Sequence, residues 1–118
     1  MSQFKRKTFD QPDQFRTFEK GKLELITLGG VTFGRATLQP GWRWSTSVKP
    51  LVNTESCQAA HLQYHLSGRL HVVMEDGSEC ECIKGDVSLV PPGHDAWVVG
   101  EEPVVILDIL GLTDYAKK

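Results

Sequence analysis

The sequence predicts an all-β barrel formed by a single domain, and three observations carry that prediction. With 118 residues, the chain is sized for one domain, burying roughly two-thirds of its unfolded surface in one core. From Leu23 onward, short runs of strand-forming residues recur about every 8–12 positions, each closed by glycine or proline. Between two such runs stands Asp76-Gly77, a strong two-residue hairpin signal that predicts a type I′ turn.

Taken in order, residues 1–22 are charged and carry scattered aromatics (Phe4, Phe9, Phe15, Phe18) around a Pro12-Asp13 turn. They read as an N-terminal arm outside a barrel spanning 23–112, with 113–118 as a C-terminal tail. Strands are expected over Leu23–Leu28, which stops at Gly29-Gly30, and Val31–Leu38, which stops at Pro40-Gly41. Trp42 and Trp44 are then expected to share one strand face, either as an aromatic wall over a small ligand or as core or dimer contact. Further strands are expected over Arg69–Met74, Ser78–Ile83, Asp86–Val90, Ala96–Val99 and Val104–Leu110. Thr54–Leu66 supports two readings. As a helix it would place His61 and His65 one turn apart; as a strand it would turn His61, Gln63 and His65 to one side.

Composition narrows the function classes. Apolar residues are 40% and charged residues 24%, as in a folded globular protein rather than a disordered chain. The net charge of −2 leaves no cationic surplus for phosphates, so nucleic acid is not an expected partner. The most apolar stretch, Val104–Leu110, is interrupted by Asp108 and far too short to cross a bilayer. No apolar segment follows Lys5-Arg6-Lys7, so no secretory signal is visible and a cytoplasmic location is expected. Three cysteines without an export signal suggest reduced thiols. Cys80 and Cys82 alternate with Glu79 and Glu81, which predicts two small buried residues on one strand face. Asp108, inside an apolar strand, either faces solvent or enters the barrel, and solvent is the expectation.

The second half of the chain carries a family resemblance. Gly85-Asp86-Val87-Ser88-Leu89-Val90-Pro91-Pro92-Gly93 resembles the Gly-x5-Pro-x-Gly opening of the second cupin motif, and Leu66-Ser67-Gly68-Arg69-Leu70 resembles the close of the first. The resemblance covers about residues 41–110 and implies a double-stranded β-helix, or jelly-roll barrel. It also implies a homodimer and a ligand or metal pocket in the barrel mouth. Metal-binding cupins take His-x-His and then Glu from the first motif and a final His from the second. Aligned here, the first pair falls on Glu55 and Cys57 (or on Thr54 and Ser56), the glutamate on His61 and the last histidine on Ala96. The familiar ligand set is therefore absent residue for residue, while His94 and Asp95 stand in the turn just before Ala96.

A rearranged centre is the resulting expectation. His61, His94, Cys57 and Glu55 are the candidate ligands for a divalent ion (Zn, Fe, Ni or Mn), because imidazole, thiolate and carboxylate are the donors such ions take. Gln63, His65 and Trp44 are expected to line the pocket against a small-molecule ligand. The expected function is small-molecule binding with a divalent metal in the barrel mouth. The alternative is a ligand-sensing or interaction module without metal.

Overall fold

The computed structural model describes residues 3–112; the expected C-terminal tail, 113–118, lies outside the described residues. Nine strands and two short helical turns follow one another: β1 (Gln14–Phe18), β2 (Gly21–Leu28), β3 (Val31–Leu38), α1 (Trp44–Ser47), α2 (Lys49–Val52), β4 (His61–Ser67), β5 (Arg69–Met74), β6 (Glu79–Ile83), β7 (Val87–Val90), β8 (His94–Val99) and β9 (Val104–Asp108). They form a six-stranded sheet ordered β1-β2-β3-β9-β4-β7 and a three-stranded sheet ordered β6-β5-β8. Every pairing is antiparallel. Apolar side chains from both sheets meet in one core, with Leu25, Leu38 and Ile106 from the larger sheet packed with Leu70, Val72 and Val98 from the smaller. This is the expected all-β jelly roll.

The segment read as an arm is partly sheet. Gln14–Phe18 pairs along its whole length with Gly21–Leu25. This edge strand offers only Phe15 and Phe18 as large apolar residues, so its alternation is faint in the sequence. Its turn runs through Lys20, whose φ of 59° is left-handed.

Two turn expectations are revised. At Asp76-Gly77 only Gly77 has positive φ, and its amide reaches back to the Met74 carbonyl at 2.9 Å. The link is therefore a longer loop rather than a type I′ turn. The two-residue hairpin with both positions left-handed is Gly29-Gly30, which joins Leu28 directly to Val31. Gly68, between β4 and β5, has φ of 77°, and a Cβ there would lie 2.5 Å from the Pro103 carbonyl oxygen. No other residue fits that corner without moving backbone.

Trp42 and Trp44 do not share a strand. Arg43 makes a single bridge to Trp97, and the chain then coils into α1 because the Asp95 carboxylate accepts from the Ser45 amide at 3.1 Å. Pro50 supports the start of α2, and Asn53 in the left-handed region ends it. Both indoles are nevertheless buried. The Cys80-Glu81-Cys82 expectation holds for one thiol only: Cys82 is buried and Cys80 is exposed. β6 lies at the edge of its sheet, so only part of its inward row is covered.

Candidate metal centre

Thr54–Leu66 resolves into a loop followed by strand β4. His61, Gln63 and His65 point inward and are buried, while Leu62, Tyr64 and Leu66 point outward and are exposed. This inverts the usual apolar-in, polar-out alternation. Inward polar residues need partners or a polar occupant, because an unsatisfied buried polar group costs about 1–3 kcal/mol.

Three elements deliver one cluster. β4 opens with His61, set against Val90 of β7. β8 opens with His94, two residues before Ala96 on the same inward row. The loop residue Cys57 is stitched to His94 by an isolated bridge, with its amide donating to the His94 carbonyl and its carbonyl accepting from Gly93, both at 2.7 Å. As a result one donor atom from each of Cys57, His61 and His94 lies within 4.8 Å of the others. The His61 and His94 rings meet edge-on with centroids 5.2 Å apart.

Hydrogen bonds fix which ring nitrogens face the cluster. His94 Nδ1 lies 2.8 Å from the Pro91 carbonyl oxygen. A carbonyl only accepts, so Nδ1 is the donor there and Nε2 is the nitrogen left for the cluster. His61 Nδ1 likewise donates to Asp108 Oδ2 at 2.6 Å. Its Nε2 lies 3.8 Å from Cys57 Sγ. Asp108 is anchored in turn by accepting from the Leu110 and Gly111 amides at 2.8 and 3.1 Å. Asp108 is 1% exposed, contrary to the expectation of solvent. It ends β9 in phase with the inward residues Val104 and Ile106.

The charges follow from these contacts. Burial pushes the Cys57 thiol up, but hydrogen bonds and charge from His61 and His94 outweigh it and bring the thiol down to about 6. Burial pushes His61 down, yet Asp108 and then Cys57 raise it to about 9. Burial would raise Asp108 as well, but the His61 hydrogen bond holds the carboxyl below its ordinary value. Near neutral pH, Cys57 and His61 therefore form a thiolate–imidazolium pair backed by Asp108.

These residues fit a metal ion. Tetrahedral ligands bonded at 2.0–2.3 Å sit about 3.5 Å apart, close to the Cys57–His61 separation of 3.8 Å. Both imidazoles are oriented through their far nitrogens by a carboxylate or a carbonyl, the arrangement that orients metal-bound histidines. One thiolate with two imidazoles suits zinc or iron better than manganese, which prefers oxygen ligands.

The other expected site residues divide. Trp44 and Gln63 line a cavity of about 30 Å³ together with His61, His94 and Trp42. His65, fully buried, is not among its lining residues; its Nε2 is 3.0 Å from the Ser88 hydroxyl. Burial holds His65 below its ordinary value, so its ring is neutral. Glu55 does not join the cluster: its side chain is 97% exposed and reaches Lys49 at 3.5 Å. Asp108 was missed as a site residue, although the phase of β9 carried the signal.

No protein-family model matches the chain, and no curated protein matches it. Solved structures do match. A protein of unknown function from Rhizobium leguminosarum bv. viciae 3841 superposes with a TM-score of 0.65 at 20% identity, over 93% of this chain and 98% of its own. A cupin-like protein from Thermotoga maritima MSB8 gives 0.55 at 15% identity, over 96% of this chain and 83% of its own. Oxalate decarboxylase from Bacillus subtilis gives 0.52 at 24% identity, over 80% of this chain but 26% of its own. Likeness at such identities speaks to fold alone. Together with the two-sheet barrel and its glycine corners, it shows that the described residues form a barrel of the cupin fold.

Proposed function

We propose that this protein binds a divalent metal ion through Cys57, His61 and His94 and uses it on a small molecule in the barrel mouth. The observation that carries the reading is the convergence of three buried donors from a loop, β4 and β8, with both histidines oriented from behind. A bound ion would supply Lewis acidity and an acidified water at its open position. The protein side is clear without it: Asp108 and the Pro91 carbonyl hold the imidazoles, and the core walls limit water.

Elemental analysis of protein purified without added metal tests the reading. About one zinc or iron per chain is expected, falling sharply in His61→Ala, His94→Ala and Cys57→Ser. Absence of metal, together with no uptake of Zn, Fe, Ni or Mn, favours the metal-free sensing or interaction module instead. The cavity of about 30 Å³ bears on that choice, since each water needs about 10–15 Å³. It has room for an ion and one or two small groups, not for a bulky organic ligand.

The expected homodimer finds support on the outer face of the larger sheet. Leu62 lies opposite Leu89, and Tyr64 opposite Val87. With Leu66, these form a row of exposed apolar side chains on β4 and β7. A second copy is the occupant we propose for that face.

A further inference from the structure

We infer that the cavity beside the Cys57–His61–His94 cluster is built to take a compact oxyanion, a carboxylate being the simplest, whose oxygen accepts from Trp42 and Gln63. One unmet buried donor and a carboxamide beside it carry this. Trp42 is 3% exposed and lines the cavity, and its indole Nε1 is wholly buried with no hydrogen-bond partner among the described residues. An indole N–H can only donate, so the missing partner is an acceptor. Gln63 is 4% exposed and lines the same cavity, which places a second polar side chain in its wall. Buried polar groups in native proteins are nearly always paired. An orphan indole N–H in one wall with a carboxamide, beside two imidazoles, marks a space that a polar ligand completes.

The remaining wall restricts the ligand class. Leu38, Leu70, Val72, Val90 and Ile106 offer no partners for the several hydroxyls of a sugar. Asp108 is already engaged with His61 and two backbone amides, so it adds no free carboxylate to the cavity. The volume of about 30 Å³ admits a head of only a few heavy atoms. The unmet donor and the small size together select a compact hydrogen-bond acceptor, and a carboxylate is among the smallest.

This inference rests on reading the cavity as the binding site, and the following experiment separates the two. Acetate is titrated into 15N-labelled protein, both metal-free and loaded with zinc, while zinc content is measured independently. The three tryptophans give three indole N–H signals, and Trp42→Phe identifies the one that matters. A saturable downfield shift of the Trp42 signal is expected, with the exposed-face Trp97 signal fixed and no response to methylammonium. Gln63→Leu is expected to keep its zinc stoichiometry while weakening acetate binding at least about tenfold, the usual loss when a hydrogen bond to a charged group is removed. A Trp42 signal that stays put in both forms, or acetate affinity unchanged in Gln63→Leu, overturns the inference. Failure to bind zinc overturns the proposed metal centre alone, since the metal-free titration still decides this one.

Discussion

Cys57 and His61 perturb each other, and the directions give a pH prediction. The Cys57 thiol is brought down to about 6, so its ionised form stabilises the fold increasingly as pH rises above 6, up to the unfolded thiol's ordinary value. His61 is raised to about 9. Its contribution is complete below its unfolded value of 6.5 and disappears as pH climbs through 9. The two trends offset one another between about pH 6.5 and 9, and above 9 both groups carry the same charge folded and unfolded, so the pair gives the metal-free protein a stability plateau from about pH 6.5 upward, with a small loss only between about 6.5 and 6. Denaturant midpoints across pH check the plateau, and His61→Gln should abolish it. Thiolate absorbance near 240 nm offers a second view: one thiol titrating near pH 6 is expected, missing in Cys57→Ser. If every thiol ionises only above pH 8, the ion pair is absent.

Asp108 supports the same residues from behind. Asp108→Asn keeps the side chain's size but removes the charge that orients and charges His61. Metal affinity should fall about 10–100-fold, the usual cost of losing such a support, which competition with a chromophoric chelator would measure. Unchanged affinity would separate Asp108 from the site. The phase of β9 could have exposed this residue, because Asp108 falls on the same inward row as Val104 and Ile106. His61 was legible because its spacing from Gly68 sets it where a ligand belongs. Cys57 and His94 were legible as candidates, but not as neighbours, since their backbone bridge is a long-range contact.

Among the elements, the loop after β9 is the most constrained. A Cβ at Gly111 would lie 2.0 Å from the Ala60 carbonyl oxygen and 2.8 Å from His61 Nδ1. Gly111 therefore lets the Asp108 turn press against the start of β4. Gly111→Ala should push the two apart, cost roughly 1–3 kcal/mol of stability and weaken metal binding as Asp108→Asn does. A variant with full stability and affinity would show that the close approach is dispensable. Glycine corners such as Gly68 were readable because their backbone demands are local. The β1 edge strand, the helical turns at Trp44 and the loop at Gly77 were not, because edge position and one side-chain cap, Asp95 on Ser45, decided them.

At the scale of the whole molecule, β4 turns polar residues inward and apolar ones outward. The proposed metal centre would use the inner row, and the proposed second copy would cover the outer one. Val87 and Leu89 are 69% and 68% exposed, so replacing them should disturb assembly more than folding. Val87→Lys with Leu89→Lys is expected to shift sedimentation from dimer to monomer while keeping the circular dichroism and the metal content. A monomeric unmodified protein would rule out that face as a self-association surface.

The electronic spectrum of cobalt(II)-substituted protein tests the central claim most directly. One cobalt per chain should give intense visible bands of tetrahedral coordination and an ultraviolet thiolate-to-cobalt charge-transfer band, the latter missing in Cys57→Ser. Cobalt bound with weak octahedral bands and no thiolate signal, or no cobalt at all, would contradict a centre made by Cys57, His61 and His94.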